Sequence, residues 1–130
     1  MEAESFNNNL REIFTSLIND GYKKRKVCML TLGEQNEPQF ENFLKGTDFG
    51  IKPLQRLMKN LDYKLQVIIT PSDDVEVSKF VEENNRECFE SCKQYLVNNL
   101  ENGTVPTLVN SPKRGPIVDI SNELFNEIIK

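Results

Sequence analysis

The cysteines are the side chains whose spacing first suggests chemistry. Cys88 and Cys92 lie four residues apart, which is about one helical turn and would place both thiols on one face. Such a pair could bind a metal or take part in redox chemistry, but the sequence has no second pair to complete a zinc site. The apolar positions around them favour the alternative that both belong to the core. With Cys28 the total is odd, as is typical of a reducing compartment.

The sequence contains no histidine. This excludes Ser-His-Asp and Cys-His nucleophilic sites, histidine general bases and mixed His/Cys zinc sites. A lysine base or a pair of carboxylates could still do chemistry, but no spacing suggests either. We therefore expect no enzyme, no catalytic residue, no metal and no cofactor.

Polar residues between positions 23 and 56 have the chemistry of nucleic-acid recognition. Four consecutive cations, Lys23 to Lys26, could contact phosphate, and the amide side chains that follow Gly33 could bond to base edges. Both features have a simpler alternative. The cation run could be a solvated loop, and the amides could be ordinary turn and surface residues.

The first half of the chain predicts the elements that would position these residues. A helical pattern ends near Gly21, which is suited to a left-handed cap. The apolar stretch from Val27 to Leu32 could be a short helix or a strand. Glu37-Pro38 opens a short helix that ends at Gly46, and another helix follows at Ile51, Leu54, Leu57, Met58 and Leu61. The alternation from Tyr63 to Ile69 predicts a strand.

The second half predicts one long amphipathic helix. Its apolar stripe runs through Val77, Val81, Cys88, Cys92, Leu96 and Leu100. An extended segment then passes Pro106, Pro112 and Pro116, and Ser121 begins a terminal helix. The expected fold is therefore mainly α with a short β strand, divided into residues 1–70 and a helical C-terminal extension over residues 71–130.

The order of these elements resembles one known family. A short helix ending in Phe43-Leu44-Lys45-Gly46, a loop, and then Ile51-x-x-Leu54-x-x-Leu57-Met58-x-x-Leu61 are similar to the lambda-repressor-like, Cro/Xre-type helix-turn-helix family. The resemblance covers about residues 6–70. In that family the short helix enters the major groove of DNA and neighbouring groups hold phosphates. A terminal strand like the one starting at Tyr63 often serves dimerisation there.

The resemblance implies a transcriptional regulator, such as a repressor, that binds double-stranded DNA as a homodimer. The implied base readers are Gln35, Asn36, Gln39 and Asn42. The implied phosphate contacts are Lys45, Lys52 and Arg56 beside the groove and the cluster Lys24, Arg25 and Lys26 before the second helix. The strand from Tyr63, with few obvious partners within the chain, and the long apolar stripe also predict a homodimer.

The rival hypothesis is a small protein-interaction module, such as a phage-like inhibitor or adaptor that reuses the helix-turn-helix fold. Glu34, Glu37 and Glu41 lie in or beside the presumed reading helix, where they would face phosphate. Residues 1–70 contain ten Lys and Arg against nine Asp and Glu, whereas residues 71–130 contain six against eleven. The acidic second half is therefore the expected surface for a protein partner.

Targeting signals are not recognisable in the sequence. No apolar run approaches the roughly 18–20 residues that span a bilayer. The segment from Met1 to Asn9 lacks the basic start and apolar stretch of a signal peptide. We expect a cytoplasmic protein without a membrane partner.

Overall fold

The computed structural model describes residues 3–68, 75–103 and 113–119. Within these ranges the chain forms five α-helices and two strands, which confirms the prediction of a mainly helical fold with a short strand. The terminal helix predicted from Ser121 lies outside the described residues. The elements in chain order are α1 Ala3–Asn19, α2 Lys24–Thr31, α3 Glu37–Leu44, α4 Ile51–Asn60, β1 Tyr63–Ile68, α5 Val75–Asn102 and β2 Lys113–Asp119.

Helix α1 forms because its large apolar residues recur every three or four positions. Phe6, Leu10, Phe14 and Leu17 are completely buried, so they line one face of the helix. Gly21 follows the helix with φ of 104°, a backbone conformation that favours glycine over residues with a Cβ. The predicted helix end near Gly21 is confirmed.

The stretch from Val27 to Leu32, which the sequence left open, is largely helical. Helix α2 begins at Lys24 and ends at Thr31, so the basic cluster forms its first turn. The expectation that these cations precede the second helix is therefore wrong. A 3₁₀ turn over Glu34–Asn36 leads into α3, whose Phe40 and Phe43 pack with ring centroids 5.5 and 5.8 Å from that of Phe14.

Strand β1 has a partner within the chain, contrary to the expectation. It pairs in parallel with β2, and Tyr63 lies opposite Lys113. The register shifts between Lys64 and Gln66, where β2 contains one additional residue. A Cβ on Gly115 would lie 2.7 Å from the Lys64 carbonyl oxygen, so only glycine allows the strands to approach this closely.

Helix α5 packs on α1, α2 and β2. Phe89, Cys92 and Leu96 belong to the same hydrophobic cluster as the buried residues of α1 to α4. The ring of Phe89 meets that of Phe6 edge to face at a centroid distance of 5.1 Å. One core thus contains residues from both sides of position 70, and most of the long apolar stripe is covered within the chain.

Candidate nucleic-acid interface

Helix α3 presents exposed amide side chains beside its buried phenylalanines. Phe40 and Phe43 face the core, whereas Gln39 and Asn42 are exposed. Gln35, in the preceding 3₁₀ turn, is exposed as well. Exposed amides have both a donor and an acceptor available, which is the requirement for pairing with the edge of adenine.

Asn36 differs from the other predicted base readers. It is half-buried, and its Nδ2 donates a hydrogen bond of 2.6 Å to the Leu32 carbonyl oxygen. Together with Gln39 and Arg56 it lines a cleft of roughly 340 Å³ between the end of α2, α3 and α4. The contact with Leu32 gives Asn36 a role in closing the turn between α2 and α3.

The first turn of α2 carries a cluster of positive charges at the N-terminal end of the helix, where cations are least favourable. Lys23, Lys24, Arg25 and Lys26 are all exposed, and no side chain caps the helix at Lys23. The first N–H groups of a helix carry a partial positive charge, so cations there oppose the helix dipole. An anion placed at this turn would relieve that repulsion and could bond to the uncapped N–H groups.

Two ion pairs connect this turn to α3. Lys24 Nζ lies 3.5 Å from Glu41 Oε1, and Arg25 Nε lies 3.7 Å from Glu37 Oε1. Two of the three glutamates in or beside the presumed reading helix, Glu37 and Glu41, are therefore directed towards cations of α2. Lys26 takes part in no ion pair within the described part of the chain.

Helix α4 carries a second group of cations. Lys52 and Arg56 are exposed and lie one turn apart, on the side opposite the buried Ile51, Leu54, Leu57 and Met58. Lys59 is also exposed and continues the same stripe, because positions separated by three and four residues share a helix face. Lys59 was missed in the sequence, although this spacing could have revealed it. Lys45, predicted beside the groove, is exposed just after α3.

Arg11 of α1 holds the end of α3, a role that the sequence did not reveal. Its Nε donates to the Phe43 carbonyl oxygen at 2.6 Å, and its Nη2 forms an ion pair with Asp48 at 2.7 Å. The guanidinium also lies over the Phe43 ring, 4.7 Å from the centroid. Arg11 thereby fixes both the C-terminal end of α3 and the loop that follows.

Asn7 fixes the same loop from its other side. The Asn7 side chain is almost fully buried, and its Nδ2 donates to the Phe49 carbonyl oxygen at 3.2 Å. Its Oδ1 accepts from the Phe49 N–H at 2.8 Å. The amide thus satisfies both backbone groups of one residue, and it fixes the loop that connects α3 to α4.

The cysteines lie in the core, as the apolar pattern predicted for Cys88 and Cys92. Cys28 and Cys92 are completely buried and Cys88 is 8% exposed. Burial raises the pKa of the Cys28 thiol to about 11 and that of Cys92 to about 12, so both are protonated at neutral pH and poorly nucleophilic. The described residues contain no group of three His, Cys, Asp or Glu that could hold a metal ion.

Comparisons with known proteins complete the description of the site. In the described ranges, none of the helices has the length and apolar character required to cross a bilayer. The chain matches no known family model, no curated protein and no solved structure.

Proposed function

We propose that this protein is a transcriptional regulator that binds duplex DNA through α3. The observation that carries the proposal is that α3, with its exposed amides Gln39 and Asn42, lies beside two groups of cations. One group is the first turn of α2, which the ion pairs tie to α3. The other is the stripe on α4, whose Arg56 lines the same cleft as Gln39.

The charge of this region supports an anionic partner. Residues 20–60 contain eight Lys and Arg against five Asp and Glu. Two of the acids, Glu37 and Glu41, are paired with cations, as is Asp48. Their charges are therefore partly compensated, while the α4 cations Lys52 and Arg56 form no ion pair within the described ranges.

In the proposed complex the cations and the amide side chains have different roles. Cations such as Lys45, Lys52 and Arg56 contact phosphate, which positions the protein without reading sequence. Gln39 and Asn42 bond to base edges in the major groove, which provides the specificity. Arg11 and Asn7 hold the C-terminal end of α3 and the following loop in place for this contact.

Fluorescence anisotropy with short duplexes tests the proposal. The preferred site is first selected from a random library, and binding is then measured from ~50 mM salt upward. Arg56→Ala should weaken binding to all duplexes alike and make the slope of log affinity against log salt shallower by about one. Gln39→Ala should cost about 1–3 kcal/mol on the selected site and little on random DNA.

Lys79→Ala is the matched control, because it removes an exposed cation from α5. It should leave the duplex affinity and the slope of log affinity against log salt unchanged. If neither the wild-type protein nor Glu37→Gln binds duplex at ~50 mM salt, where phosphate contacts are strong, DNA binding is rejected.

A protein partner is the second candidate, and one surface favours it. Phe80 on α5 is 64% exposed, and the exposed acids Glu83 and Glu87 follow on the same helix. A large exposed aromatic side chain is a common anchor in protein interfaces. Loss of partner binding in Phe80→Ala, with duplex binding absent in the wild type, would favour this candidate.

A further inference from the structure

The carboxylates of α3 hold cations that a duplex would also require. Glu41 is paired with Lys24 and Glu37 with Arg25, across the gap between α3 and the first turn of α2. The glutamate side chains are 51% and 52% exposed. Because water surrounds both pairs, each is weak and can exchange its partner readily.

We propose that Glu37 and Glu41 compete with DNA phosphate for the cations of α2 and thereby weaken binding to any duplex; this inference rests on the proposed DNA binding. A phosphate contact by Lys24 requires that its pair with Glu41 be broken. The carboxylate is then left without its cation beside a second negative charge. Each glutamate thus acts as an internal competitor for one phosphate contact.

The competition weakens both modes of DNA binding. Non-specific binding depends almost entirely on phosphate contacts, so it loses the contribution of Lys24 and Arg25. The specific complex uses the same phosphate contacts and loses the same contribution, while the bonds from Gln39 and Asn42 to base edges are unaffected. The glutamates therefore lower the affinities for the preferred site and for random DNA by a similar factor.

Glu41→Gln tests this directly, because it removes the charge and keeps the shape of the side chain. Affinity for random duplex at ~50 mM salt should rise about threefold or more, and the slope of log affinity against log salt should steepen by about 0.9 as Lys24 becomes free for phosphate. The ratio of specific to random affinity should stay about the same, because Lys24 then contacts phosphate in both complexes. Glu37→Gln should act in the same direction.

A double-mutant cycle tests whether Lys24 is the cation for which Glu41 competes with phosphate. Lys24→Gln should weaken random-duplex binding less in the wild-type background, where Lys24 is paired with Glu41, than in the Glu41→Gln background, where Lys24 is free for phosphate. In the Glu41→Gln background the same change should cancel the gain. Glu90→Gln on α5 removes an equal charge from an exposed position and should leave the salt slope unchanged.

The outcomes of these experiments distinguish failure of the competition from failure of the proposed DNA binding. If Lys24→Gln weakens random-duplex binding equally in both backgrounds, Lys24 contacts phosphate independently of Glu41, and the competition is rejected while DNA binding stands. If neither the wild type nor Glu41→Gln binds duplex, DNA binding itself is rejected. Binding by Glu41→Gln alone would support the competition.

Discussion

Among the single residues, two buried amide side chains form hydrogen bonds with backbone N–H and carbonyl groups of distant segments. Asn85 on α5 is completely buried. Its Nδ2 donates to the Ile117 carbonyl oxygen at 2.8 Å, and its Oδ1 accepts from the Ile117 N–H at 2.7 Å. Asn85 thus satisfies backbone groups of β2 as a neighbouring strand would. Asn7 does the same for Phe49.

Replacing Asn85 by alanine should therefore be costly. The change leaves a buried N–H and a buried carbonyl of Ile117 without partners, and it opens a space beside α5. We expect the free energy of unfolding to fall by about 2–4 kcal/mol. Urea denaturation followed by circular dichroism measures this difference.

Asn98→Ala is the matched control, because Asn98 is an exposed asparagine of the same helix. It should change the free energy of unfolding by no more than about 0.5 kcal/mol. An equal effect of the two substitutions would show that the bonds between Asn85 and Ile117 contribute nothing to stability.

Among the secondary-structure elements, the junction between α4 and β1 contains a non-glycine residue in an unfavourable backbone conformation. Asp62 has φ of 67° and is the one described non-glycine residue with positive φ. Its Oδ1 is buried and has no hydrogen-bond partner among the described residues. Glycine is the usual residue at this position after a helix, because it lacks the Cβ that makes the conformation costly.

Asp62→Gly should consequently stabilise the protein. Relief of the backbone strain and removal of the unpaired oxygen outweigh the greater entropy of glycine in the unfolded chain. We expect the free energy of unfolding to rise by about 0.5–1 kcal/mol, with the melting temperature rising accordingly. Asp62→Ala retains a Cβ and should give no such gain. A decrease in Asp62→Gly would show that the carboxylate has a stabilising contact.

At the scale of the whole molecule, the two surfaces that suggested a homodimer are used within one chain. β1 pairs with β2, and Cys92, Leu96 and Leu100 of α5 belong to the common core. A strand edge or an apolar stripe drives association mainly when it is left uncovered. The reasons drawn from the sequence for a homodimer therefore no longer apply.

We expect the free protein to be a monomer. Light scattering at micromolar concentration should give the mass of one chain, 15.0 kDa. Asn85→Ala, which loosens β2, provides a comparison in which exposed strand edges should promote association. Twice the monomer mass for the wild type would restore the homodimer hypothesis and direct attention to Phe80, the most exposed large apolar side chain described.

Features that depend on residues close together in the chain could be predicted from the sequence alone. Helical spacing located α1, α3, α4 and α5, since a buried helix face requires apolar residues every three or four positions. Gly21 marked a helix end because few other residues adopt its positive φ.

Features that depend on contacts between distant segments could not be predicted in this way. The stretch from Val27 to Leu32 fits a helix or a strand equally well by pattern, and in the structure it forms most of α2, which packs against α1 and α4. β1 pairs with Lys113–Asp119, which lies in a segment predicted to be extended but not assigned as a strand. The pairing of Glu37 and Glu41 with Arg25 and Lys24 likewise arises where α2 meets α3. Such contacts depend on how elements pack, and one-dimensional periodicity carries no information about that packing.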